Sequence, residues 1–156
     1  MGMVATLREV QPGDLERMHD IHEVIELFGD AESPTLGLEK VWGGLSELLT
    51  AAGTAPELGF LWRGGRDVGA LLSYGHPRLL SPDFVTRLDI ALQGIDDDQL
   101  WAGYDAERFE AESIYPGIWD EPPNELRDEY VGYFHDLKAF VSQVASAGGE
   151  IAVVML

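Results

Sequence analysis

A chain of 156 residues with 46% hydrophobic side chains is sized for one domain around a single core. It carries 28 acidic against 10 basic residues, a formal net charge of −18, which repels phosphate backbones and anionic lipid and excludes nucleic-acid and membrane-surface binding. It has no cysteine, which excludes disulfides, zinc–thiolate sites and thiol nucleophiles.

Residues 3–10, MVATLREV, read as a strand ended by Pro12-Gly13, with Asp14 near the next helix start. Leu15, Met18, Ile21, Ile25 and Phe28 then recur at threes and fours, which predicts an amphipathic helix over 15–28. His19 and His22 lie on it among acids. His19 falls on the solvent arc with Glu23 and Glu26, and the pair has no third ligand at a convincing spacing, so no metal is expected. A second helix is predicted over 38–52, with Leu38, Val41, Trp42, Leu45, Leu48, Leu49 and Ala52 on one stripe. It contains Gly43-Gly44, and each glycine costs roughly 1 kcal/mol against alanine in a helix interior. A close-packed neighbour is the expected reason.

Residues 58–62 and 68–73 read as two strands of a hairpin around Arg63-Gly64-Gly65-Arg66. The stretch SYGHPRLLSP at 73–82 follows. Its second half starts a helix: Ser81 is the N-cap, Pro82 takes the first helical position, and Asp83 complements the dipole. Helices are predicted over 83–93, from Asp96 and from Asp105, and the aromatic turn IYPGIW spans 114–119. Pro122-Pro123 opens the longest helix, to about Ala147, which Gly148-Gly149 stops. His135 lies opposite its apolar stripe and should be exposed. The run IAVVML suits an interior strand buried on both faces.

Chemistry concentrates in the first half of SYGHPRLLSP. His76 sits in a Gly/Pro-bounded loop, where folds of alternating strands and helices place ligands. Tyr74 and Arg78 flank it at two residues either side. Arg78 suits a carboxylate or phosphate, and His76 exchanges a proton near neutral pH. Tyr115, Trp119 and Trp42 are the aromatic candidates to wall such a site. No catalytic residue is assigned. Nucleophile elbows, phosphate-binding glycine loops, dinucleotide fingerprints and zinc-protease motifs are all missing from the sequence. Residues 95–129 hold Asp96, Asp97, Asp98, Asp105, Glu107, Glu110, Glu112, Asp120, Glu121, Glu125, Asp128 and Glu129 against Arg108 and Arg127. This is either a face for a basic protein partner or a solubilising surface.

Several stretches together resemble the YfbM-like family, bacterial proteins of the DUF1877 class, a domain of unknown function. They are Met1-Gly2-Met3, the run from Leu38 through Trp42-Gly43-Gly44-Leu45 to Thr50, Tyr74-Gly75-His76-Pro77-Arg78-Leu79-Leu80-Ser81-Pro82, Ile114-Tyr115-Pro116 with Trp119, and the apolar final strand. The resemblance spans nearly the whole chain. It implies one domain over 1–156 with an α/β single-domain layered fold, a mixed β-sheet with helices on both faces, in a cytoplasmic protein. It implies no activity and no cofactor. Relatives carry histidine where this chain has Gly43 and Ser46, so a metal built on those histidines is not expected here. The expected function is a non-catalytic binding or adaptor domain with an acidic face for a protein partner, toxin neutralisation being its concrete form. The alternative is a small-molecule enzyme or a sensor of an anionic ligand built on Tyr74, His76 and Arg78. Convergence of those three side chains with Trp42 or Tyr115 on one pocket would favour the alternative.

Overall fold

The computed structural model describes residues 2–30 and 32–156, so Met1 of the opening motif lies outside the described residues. Five strands form one sheet in the order β2-β1-β5-β4-β3: β1 is Ala5–Glu9, β2 Thr35–Glu39, β3 Arg66–Asp67, β4 Arg78–Leu80 and β5 Ile151–Met155. The apolar final run is therefore the central strand. Ile151 and Val153 face one side and Ala152 and Val154 the other, all buried, as the two-residue strand period requires. The expected mixed sheet is corrected in one respect, because every pairing is antiparallel, β5 with β1 and β4 included. A continuous apolar run reports burial on both faces and carries no information on strand direction, which the connections set.

Helices cover both faces. On one side α2 (Trp42–Ala52), α3 (Pro82–Gln93), α4 (Asp97–Trp101), α5 (Ala106–Ala111) and α6 (Pro123–Ser146) build the larger core with Leu7, Leu80, Ile151 and Val153. On the other, α1 (Ile21–Phe28) lays Val24, Leu27 and Phe28 over Ala152 and Val154, joined by Met18, Val68, Leu72 and Leu79. Local signals set the helix starts. Ser81 Oγ accepts from the Phe84 amide at 3.2 Å. Asp96 and Gln99 form a reciprocal capping box at 2.7 and 2.8 Å. Asp105 accepts from the Arg108 amide at 3.2 Å. Gly148, at φ +68°, follows α6 in the left-handed conformation that ends a helix.

The first expected helix divides. Asp20 is extended and its carboxylate accepts from the Glu23 amide at 2.9 Å, so it caps α1 and leaves Leu15–Arg17 as a separate 3-10 turn. Ile21 and Ile25, assigned to the buried stripe, are exposed, and Val24 and Leu27 take their place. The second helix starts later than expected, because Leu38 belongs to β2. Residues 58–62 and 68–73 are not hairpin strands. The first begins as a 3-10 turn, Pro56–Gly59, carrying buried Leu58, Phe60 and Leu61. In the second, the Val68 amide donates to Pro77 O, Ala70 to Met18 O and Leu72 to Gly75 O, so its backbone is shared between Met18 and the 75–77 loop and no ladder forms. The Gly64-Gly65 turn, at φ +100° and +71°, leads instead into β3, which pairs with β4.

One buried charge belongs to this framework. Arg8 on β1 is 2% exposed. Its Nε donates to Asp14 at 3.0 Å and its Nη1 to Leu27 O at 2.9 Å and Asp30 O at 3.3 Å. The guanidinium thus ties the sheet to the carbonyl end of α1, where the helix dipole favours a cation.

Candidate ligand-binding site

The turn that carries Tyr74 is closed by reciprocal bonds between Leu72 and Gly75, at 3.1 and 3.4 Å. Gly75, at φ +114°, takes a conformation open to glycine at little cost. Beyond it the chain straightens into β4, whose first residue is Arg78. Next to β4 lies β5, and β5 contributes Val153 and Met155 to the same depression. Trp42, first residue of α2, closes the far side. Its indole donates to Met3 O at 3.0 Å, which fixes the ring against the N-terminal segment.

Together Trp42, Trp62, Tyr74, His76 and Arg78 wall a cavity of about 100 Å³. Met3, Leu61, Val153 and Met155 supply the rest of its apolar lining. Trp62 meets Trp42 edge-on, ring centres 4.7 Å apart. Arg78 donates to Gly64 O at 2.9 Å and to Phe60 O, which leaves other N–H groups of its fork beyond these two bonds. Among the described residues no carboxylate forms an ion pair with it. Burial pulls its pKa below the usual arginine value, and the charge of Asp67 pulls the other way. The His76 ring is exposed and its Nδ1 lies 3.1 Å from Gly69 O, so Nδ1 carries the proton of that bond and Nε2 is left available.

Of the six residues singled out in the sequence, the structure brings four together: Trp42, Tyr74, His76 and Arg78. Tyr115 stacks on Trp42 at 5.2 Å but lines a separate cleft with Ser113, Pro116 and Trp119. Trp119 is buried away from the cavity, donating to Ile114 O at 2.8 Å and packing edge-on to Phe109. Neither is a wall of the site. Trp62 is the wall that sequence reasoning missed, because it was read as the end of a strand. The signal was present: a tryptophan directly before Arg-Gly-Gly-Arg, in a tight turn that a buried strand end would not need.

The family model for DUF1877, a domain of unknown function, matches residues 1–154. The chain belongs to the DUF1877 family. Among solved structures it resembles the protein of unknown function YfbM from Escherichia coli, with a TM-score of 0.71 at 15% identity over 98% of this chain and 99% of that one. That likeness shows the α/β fold. No curated protein matches the chain.

In this DUF1877 chain the places that the resemblance gives to histidine are closed. A side chain at Gly43 would begin 2.6 Å from the carbonyl oxygen of Tyr115, and Ser46 is buried. The ligand atoms of His19, Asp20 and Glu23 lie within 4.8 Å of one another. Two of the three are engaged, Asp20 capping α1 and His19 Nδ1 sitting 2.7 Å from Glu16 O, while Glu23 Oε2 lies 3.3 Å from His19 Nδ1 without a hydrogen bond. The acidic segment is not one uniform face. Asp96 and Asp105 cap helices, Asp97 bonds His135 at 2.7 Å, Asp98 bonds Arg127 at 2.7 Å, and Glu112 bonds Arg108 at 2.7 Å. His135 is exposed, as expected, with Asp97 as its partner. No described helix is long and apolar enough to cross a membrane.

Proposed function

We propose that this DUF1877 chain is a binding module whose pocket, walled by Trp42, Trp62, Tyr74, His76 and Arg78, takes a carboxylate. The observation that carries the reading is Arg78: a half-buried guanidinium bonded to neutral carbonyls, on the wall of an aromatic cavity. Asp67, opposite Arg78 on β3, offsets its charge from beyond ion-pair distance, and a carboxylate guest adds a direct partner with a bidentate fork geometry. The apolar lining favours a carboxylate on a short hydrocarbon stem over phosphate, which needs many donors. Titration with propionate and with its neutral isostere propionamide, followed by the fluorescence of Trp42 and Trp62, tests this. Propionate is expected to bind, weaker in Arg78→Lys because the fork is lost. Equal binding of propionamide sinks the reading.

A second reading, an acidic face for a basic protein partner, rests on a different place. Glu107, Glu110 and Asp120 rim an open groove of about 610 Å³ that has Trp119 in its wall.

A further inference from the structure

We infer that the carboxylate this pocket takes is the side chain of an aspartate or glutamate on an apolar segment of a partner protein; the inference rests on the carboxylate reading above. Size is the first argument. The cavity of about 100 Å³ is well below the roughly 300–1,000 Å³ of pockets that enclose a whole small molecule. It holds a carboxylate on a short stem, and whatever bears the stem must lie outside.

The rim is the second argument. Trp62 and Tyr74, both in the cavity wall, are 60% and 53% exposed, and Leu71, three residues before Tyr74 and outside the wall, is 72% exposed. A free carboxylate in the pocket would leave this apolar surface in water. A segment with apolar residues on either side of its acid would cover it, anchoring one buried charge inside a ring of apolar contacts.

Charge is the third. Residues 62–78 hold Arg63, Arg66 and Arg78 against the single acid Asp67, in a chain of net charge −18. Elsewhere Arg8, Arg87, Arg108 and Arg127 each sit on a carboxylate, Arg17 being the exception among the described arginines. Among the described residues Arg63, Arg66 and Arg78 carry no ion pair. Of these three only Arg78 lines the pocket, with Asp67 opposite it on β3, while Arg66 pairs with Leu79 and so stands on the other face of the sheet. An acidic segment is therefore drawn to Arg78 itself and repelled by the acidic remainder of the molecule, which favours docking at the pocket.

The probe is a pentapeptide, Leu-Ala-Glu-Leu-Ala, acetylated and amidated so that glutamate is its only carboxylate. It is expected to bind at least about tenfold more tightly than propionate, and to lose about tenfold when its glutamate becomes glutamine. Leu71→Ser should weaken the peptide severalfold and leave propionate unchanged, since Leu71 lies outside the cavity. Propionate binding with no gain for the peptide overturns this inference and leaves the carboxylate pocket standing. Failure of both removes the pocket reading and this inference with it. Peptide binding indifferent to the glutamine exchange also overturns it.

Discussion

Gly43 and Gly44 stand where a helix favours alanine by roughly 1 kcal/mol at each position. The structure supplies the opposing effect. A Cβ on Gly43 would lie 2.6 Å from Tyr115 O, and one on Gly44 2.7 Å from the Trp119 ring and 2.9 Å from Tyr130. Backbone at the first site and two buried rings at the second have little room to give, and overpacking of this kind costs about 1–3 kcal/mol. Gly43→Ala and Gly44→Ala are each expected to lower the urea midpoint at unchanged slope; a rise would mean that propensity wins. Because Tyr115 stacks on Trp42, the Gly43 contact also bears on one wall of the cavity. Arg78 shows the other residue-scale lesson. Its two carbonyl bonds are structural, and they leave it without a direct ion-pair partner among the described residues.

At the scale of elements, what is encoded within four residues was legible and what depends on distant partners was not. Ser81-Pro82-Asp83, Asp96 with Gln99, and Asp105 each start a helix where their capping chemistry places it. Ser81→Ala is expected to cost about 1 kcal/mol in thermal or urea unfolding and to leave propionate affinity intact. A loss of binding would mean that α3 and β4 position the pocket together. Residues 58–62 and 68–73 misled because short apolar runs are as compatible with a buried irregular segment as with a strand. Residues 58–62 are wound by local bonds to Ala55, Glu57 and Gly59, whereas in 68–73 partners as far apart as Met18 and Pro77 decided the form, and no local pattern records those. The site was legible in the same proportion. Tyr74, His76 and Arg78 share one loop and strand, and were found. Trp42 and Trp62 reach them only through the tertiary fold, while Trp119 is buried against Gly44 and Tyr115 packs half-buried over Gly43.

At the scale of the molecule, two places differ in sign: a pocket with Arg78 in its wall and an acidic groove along α5. Reversing Asp96, Asp97 and Asp98 is a poor probe of the groove, because those acids cap α4 and hold His135 and Arg127. Glu107, Glu110 and Asp120 line the groove and, among the described residues, carry no ion pair. If the groove receives a basic partner, a lysine-rich peptide should associate more slowly with Glu107→Gln, Glu110→Gln and Asp120→Asn combined. The rate should also fall steeply with salt, since exposed charges are screened over about 10 Å at 0.1 M. Association that ignores both changes leaves these acids a solubilising role only.

The place of β5 in the sheet bears on how the protein comes to exist. β2 and β1 form one half of the sheet and β4 and β3 the other, and β5 alone hydrogen-bonds to both. During synthesis a ribosome that has released everything up to Glu150 has delivered both halves and all the helices, yet not the strand that joins them. Until Ile151–Met155 emerges, β1 and β4 each present a bare edge, and Leu7 and Leu80 lack their shared apolar neighbour. Unpaired edges of that kind invite other chains. Until that strand arrives the nascent protein cannot close its sheet, and its vulnerability to aggregation and to chaperone capture belongs to that interval.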